Sequence, residues 1–181
     1  MDVLALLNEK VFLGQEFLTW LWYVAEEEGS VQLEDGRLVD VLLGERLVLG
    51  PMQGQEGTRV TVKGREASMA EARQALRRGK LVEGLRLGLT LDGEEYWLNL
   101  EAAELAPKAL KLPPTAPGQG GPEGLEGLEG LVLERISLVD GALRGLEGLL
   151  LVFLRQRLAS EQGGELWARL QAWAAGRRAQ D

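Results

Sequence analysis

The chain contains no cysteine and no histidine among its 181 residues. Without cysteine there are no disulfides and no thiol chemistry, which fits a reducing compartment. Without histidine the commonest general base and metal ligand is missing. Ser-His and Cys-His catalysis and most zinc sites are therefore out of reach of this chain alone. Carboxylate-only metal chemistry stays open. Long apolar runs are also scarce. The longest, at residues 17–25, is about half a membrane span and is closed by Glu26, Glu27 and Glu28, so no membrane segment is expected. The N-terminus lacks the basic start and small-residue cleavage site of a signal peptide, and a cytoplasmic protein is expected.

Aromatic residues make up only 6% of the chain, but they are concentrated. Phe17, Trp20, Trp22 and Tyr23 are four of its ten aromatics. Within residues 12–28, Leu13, Phe17, Trp20, Leu21 and Val24 recur at helical spacing and form one broad stripe. Leu18, Trp22 and Ala25 form a second. A helix apolar on nearly every side needs cover on more than one side. The first stripe is expected to hold the sheet. The second, Leu18 and Trp22, is expected to meet the C-terminal helices or a second subunit.

The net charge of −8 argues against nucleic-acid binding as a whole-molecule property. Its distribution is uneven. Residues 1–58 hold three basic and eleven acidic residues, whereas residues 59–86 hold eight basic and three acidic ones. The basic set is Arg59, Lys63, Arg65, Arg73, Arg77, Arg78, Lys80 and Arg86.

The chain order gives an α+β fold. A short helical approach with Asp2 as its N-cap precedes the aromatic helix, which ends near Gly29. Residues 31–33, 37–43 and 46–49 read as a three-stranded meander with turns at Asp35-Gly36 and Gly44-Glu45. A strand over residues 58–63 follows. Ser68 and Glu71 form a capping box for a second helix that stops at Gly79. Residues 81–91 and 94–100 form a hairpin about Asp92-Gly93. In it Trp97 lies on the face opposite Tyr96 and Leu98. Residues 101–112 suggest a short helix ending before Pro113. Residues 113–130, rich in proline and glycine, read as a linker. The fold is thus a mainly antiparallel sheet with a central aromatic helix and a second helix, followed by a C-terminal helical hairpin. Residues 1–112 form the α+β domain, and residues 131–181 form the hairpin or an oligomerisation segment.

In the long helix expected over residues 131–158, Val132, Ile136, Val139, Leu143, Leu146, Leu150 and Phe153 follow a heptad seam. Cover by the shorter helix at residues 165–175 and pairing with another chain both remain open. Leu143, Leu146, Leu150 and Phe153 join Leu18 and Trp22 as candidate interface residues. Gly141, Gly145 and Gly148 weaken the helix unless something approaches its backbone closely.

The order of parts carries a resemblance. FLTWLW in the first helix is followed from residue 58 to 112 by a strand, a helix, Gly79-Lys80 with VEGLRLGL, a hairpin, and Lys108-Ala109-Leu110-Lys111. Residues 12–112 resemble the C-terminal half of the recombination-associated protein RdgC family, and most closely a short stand-alone bacterial group with an LGxEFLTWLW motif. The resemblance implies a non-enzymatic, nucleoid-associated protein that binds DNA with little sequence preference. It also implies an oligomer, or a partner resembling the family's missing N-terminal half. The linker and C-terminal helices lie outside the resemblance. Lys63, Arg65 and Lys80 fall on the family's basic positions.

From the residues themselves, Arg73 and Arg77 share a helix face with Arg78 beside them. With Lys63, Arg65 and Lys80 they form the candidate DNA-binding set, aided by the helix N-terminus near Ser68. The alternative is a solvated face paired with acidic surface. A protein-interaction or assembly subunit without direct DNA contact is the second functional reading. Asp92, Glu94 and Glu95 read as a turn rather than a metal site. Glu26, Glu27 and Glu28 read as a solvated helix end. Residues 118–130 lack the ending of a phosphate loop. No metal, cofactor or small-molecule substrate is expected.

Overall fold

The computed structural model describes residues 10–52, 55–64, 67–114, 125–159 and 164–176. Residues 2–9, Arg65 and most of the expected linker lie outside the described residues, as does the Ser68 side chain. The elements are α1 (Lys10–Tyr23), continued by a π-helical turn (Val24–Glu28), then β1 (Ser30–Gln32), β2 (Leu38–Gly50) and β3 (Val60–Lys63). They continue with α2 (Ala67–Arg77), β4 (Leu81–Leu91), β5 (Glu94–Glu101), β6 (Lys108–Lys111), α3 (Leu125–Ala159) and α4 (Gly164–Ala174). The fold is α+β. An antiparallel sheet runs in the order β1-β2-β4-β5-β6, and β3 pairs with β2 beyond β1.

The Asp-Gly turns lie where the local sequence places them. At β4–β5, Asp92 and Gly93 both have positive φ, at 54° and 83°, and join Leu91 to Glu94. Such a turn matches the twist of the strands it connects. At β1–β2 the loop is one residue longer than expected. Gly36 donates to Leu33 O, and Leu33 N–H donates to Arg37 O.

The expected turn at Gly44-Glu45 is not a turn. β2 continues through it as one 13-residue strand. Its pairing with β4 shifts register between Leu43 and Leu47. An irregularity absorbs the extra residues because β4 and β3 hold the strand on both sides of it. Gly44 is needed there for space. A Cβ at this position would lie 2.7 Å from Cγ of Arg86. The expected short helix within residues 101–112 is also replaced. After a turn at residues 102–104, the chain forms the edge strand β6 against β5.

One face of the sheet carries the core: Val39, Val41, Leu47 and Leu49 of β2, Leu85, Leu87, Leu89 and Leu91 of β4, and Tyr96, Leu98 and Leu100 of β5. α1 lies on it. Thr19, the sole polar residue in the 17–25 run, docks the helix. Its hydroxyl donates to Gln15 O at 2.7 Å and accepts from the Val82 N–H at 3.1 Å. Both contacts are buried, so α1 is tied to β4 where the sheet ladder leaves a donor free.

The C-terminal helices belong to the same core and do not form an appended unit. α3 begins at Leu125, inside the expected linker. Ala142, Leu146, Leu149 and Phe153 are buried with α1 and the sheet. The side chains of Leu33 and Leu91 lie at 2.8 and 3.3 Å from where Cβ atoms of Gly148 and Gly145 would be. The glycines of this helix thus allow close approach of the sheet. Leu146 and Phe153 of the heptad seam are buried as expected, whereas Ala142 and Leu149 take the buried places of Leu143 and Leu150. Phe153 packs against the rings of Phe17 and Trp20 at 5.4 and 5.8 Å. Leu143 is 43% exposed, and the neighbouring Ala142 takes the buried place.

α4 folds back to complete the C-terminal hairpin. Trp173 meets Trp22 and Tyr23 at 4.9 and 5.5 Å between ring centroids. The second stripe of α1 thus meets a C-terminal helix as expected, whereas the first shares its cover between the sheet and α3. Phe17 and Trp20 of the first stripe face α3, while Trp22 of the second faces α4. Among the described residues, no helix is long and apolar enough to cross a membrane.

Candidate nucleic-acid interface

The five described candidate DNA-binding residues do not form one surface. Three cations of α2 and its C-terminal end hold the helix to its neighbours. Arg73 pairs with Glu26 at 2.5 Å and stands 5.9 Å from the Trp173 ring. Arg77 Nε donates to Ala174 O at 2.6 Å. Lys80 Nζ donates to the carbonyl and hydroxyl oxygens of Thr58. Glu26 is correspondingly drawn in from the helix end. Its second oxygen accepts the Trp22 indole N–H at 2.7 Å. Arg78 is exposed at the C-terminal end of α2, and Arg65 lies outside the described residues.

Of the candidate interface residues, Leu18, Trp22, Leu146 and Phe153 are buried within the chain. Leu150 packs partly against the core, and Leu143 remains exposed.

Lys63 lies elsewhere, on the sheet face opposite the core. No described helix covers that face. Side chains alternate along a regular strand, so residues next to the core positions point there. Lys63 of β3 stands directly opposite Arg46 of β2. Next across the sheet, Arg86 of β4 lies over Gly44 of β2. Asn99 of β5 is opposite Arg86, and Lys108 of β6 is opposite Asn99. One row across five strands thus carries Lys63, Arg46, Arg86, Asn99 and Lys108. At about 4.8 Å per strand, it is about 19 Å long.

The adjacent row holds Leu42, Gly88, Trp97 and Lys111, again on successive strands. Trp97 lies over Gly88, where a Cβ would come within 2.9 Å of its ring. The Arg86 guanidinium is 5.7 Å from that ring. Glycines at 44 and 88 therefore leave room for an arginine and a tryptophan in cation–π range of each other.

Acidic residues border this band. Glu101 pairs with Lys108 at 2.8 Å, and Glu83 pairs with Arg59 at 2.6 Å. The hydrogen bond from Lys108 holds the Glu101 carboxyl below its usual range, and the Arg46 charge acts in the same direction. Glu95 accepts the Trp97 indole N–H. On the far side, Asp40 and Thr90 continue the row of Glu95. The result is a narrow basic and aromatic band between acidic margins.

Sequence reasoning missed Arg46, Trp97, Lys108 and Lys111 as a set and assigned Arg86 only to a charge count. A usable signal was present. The Asp92-Gly93 turn pairs residue 86 with 99 and residue 88 with 97, and strand alternation places all four opposite Tyr96 and Leu98. Among the described residues, no group of three or more acidic side chains could hold a metal ion. Comparison with family models, curated proteins and solved structures finds no match.

Proposed function

We propose that the chain is a non-enzymatic DNA-binding protein that holds a nucleic-acid backbone, without reading sequence, along the open face of its sheet. The observation that carries this reading is the cross-strand row of Lys63, Arg46 and Arg86 beside Trp97. Cations spaced along a row suit a phosphate backbone, and an aromatic ring offers a stacking surface that every base can use. The acidic margins limit the track to one backbone in width. They also explain how a chain of net charge −8 can present a local cationic path. The non-catalytic part of the reading rests on the lack of histidine and cysteine. A recombination-associated role and a nucleoid location rest on the resemblance of residues 12–112 to the RdgC family.

Fluorescence anisotropy with single-stranded and duplex DNA at several salt concentrations tests the proposal. Affinity should fall with salt, with a log–log slope of about 0.7 per phosphate neutralised on a single strand and about 0.9 on duplex. Arg46→Ala should reduce the slope by about one phosphate. Absence of binding at low salt overturns the reading. The second reading, an assembly subunit, is favoured by the exposed apolar residues Leu131, Val132, Leu133 and Ile136 near the start of α3.

A further inference from the structure

We propose that two copies of this chain pair in parallel through the N-terminal half of α3. This goes beyond the DNA-binding reading and stands independently of it. The C-terminal half of α3 is packed on α1 and the sheet, but residues 130–137 are exposed at every position. Val132 and Ile136 are 56% and 58% exposed, and Leu143 is 43% exposed. These three, with Val139, Arg135, Asp140 and Leu112, line one open groove. Their 4-3-4 spacing is that of a coiled-coil seam. The seam lies about a quarter turn round the helix from the buried Ala142, Leu149 and Phe153, given about 100° per residue. It is therefore a second face of the helix and not an extension of the packed one.

The charges beside the seam identify the occupant. With Ile136 and Leu143 at a and Val132 and Val139 at d, Arg135 falls at g and Asp140 at the following e. In a parallel pair each g residue faces the e residue five positions on in the other helix. Asp140 is held by Arg144 of its own helix at 2.8 Å, and in the parallel pair Arg135 of each copy joins that pair from across the seam, giving two reciprocal clusters. An antiparallel pair sets g against g and e against e, and places Asp140 near Asp140. A parallel two-fold also leaves the two sheets on opposite sides of the helix pair, clear of each other.

Among the described residues, Leu112 is the one side chain from outside α3 that lines this groove. Residues 115–124 contain no Leu, Ile, Val, Met or aromatic side chain. α1 meets α3 at the far end of that helix, where Arg157 holds Glu16 about 30 Å of helix beyond Ile136.

Sedimentation velocity and light scattering on the full chain test the proposal. The wild type should dimerise. Ile136→Asp should be monomeric with an unfolding temperature close to wild type, because this side chain is 58% exposed. Arg135→Glu and Asp140→Arg should each weaken the dimer, roughly tenfold. Mixing these two variants should restore it, since a heterodimer has both pairs matched. The chain has no cysteine, so Ile136→Cys can be oxidised cleanly. It should form a covalent dimer, because a parallel pair places both copies of position 136 in one layer. A monomeric wild type, or a dimer that survives Ile136→Asp, overturns the proposal. Cross-linking only between Ile136→Cys and Val139→Cys chains indicates the antiparallel arrangement and overturns it too.

Discussion

The edge of Trp173 meets the ring of Trp22 with centroids 4.9 Å apart and planes at 82°. The contact closes α4 on α1 and buries the second stripe of the aromatic helix. Edge-to-face pairs contribute beyond the area they bury. Trp173→Ala should destabilise the fold by about 3–5 kcal/mol, and Trp173→Phe by less. The shift in urea midpoint measures both.

Thr19 should be intolerant of an isosteric change. Thr19→Val keeps the shape but leaves the buried Val82 N–H without its acceptor. A loss of about 1–3 kcal/mol is expected. Thr19→Ser should retain most of the stability, because it keeps the hydroxyl. Denaturant titration of the two variants distinguishes the hydrogen bond from packing.

Glu16 and Arg157 form an ion pair with side chains only 7% and 15% exposed. Arg157→Met alone should cost about 3–5 kcal/mol, since it takes the arginine from a carboxylate that stays buried. Adding Glu16→Leu should recover much of that loss. A double-mutant cycle by thermal unfolding measures the coupling.

The two groups of cations should respond in opposite ways. Arg73→Ala and Arg77→Ala remove ties between α2 and its neighbours, so they should lower unfolding temperature and leave the salt dependence of DNA binding unchanged. Arg46→Ala and Arg86→Ala should weaken DNA binding and leave the unfolding temperature close to wild type. Calorimetry paired with anisotropy separates these outcomes.

Acid should loosen the β5–β6 edge. The folded state holds the Glu101 carboxyl below its usual range, first through the Lys108 hydrogen bond. A depressed carboxylate contributes its stability fully above the unfolded value of about 4.3 and loses it as pH falls through the lower folded value. The Lys108 amine is raised in turn by Glu101 and Glu104, so its share is lost only at alkaline pH. An NMR titration should find the Glu101 midpoint moving up in Lys108→Met.

Much of the architecture was legible because it is written in short-range preferences. Asp92-Gly93 imposes a tight turn with positive φ, and the alternation around it fixes which side chains share a face. Gly29 and Gly79 end their helices with φ of 74° and 85°. The course of β2 was less legible. Gly44-Glu45 has the composition of a turn, and only the neighbouring strands keep it extended. The buried neighbours of Leu146 and Phe153 in α3 were also hidden, because Ala142 and Leu143 differ little as local signals. The packing of the sheet against Gly145 and Gly148 selects between them.

The candidate site shows the same division more sharply. Local sequence sets where cations lie along the chain and, through strand parity, which face each one takes. It does not set what each charge meets. Arg73 and Arg77 share a helix face as expected, yet Glu26, Trp173 and the Ala174 carbonyl occupy them from remote parts of the chain. Arg46 and Arg86 looked ordinary, yet no described helix covers the sheet face that carries them. Backbone preferences act over a few residues and survive in the sequence. The partner of a charge, and the cover over a face, depend on contacts between distant segments and arise only when the chain packs.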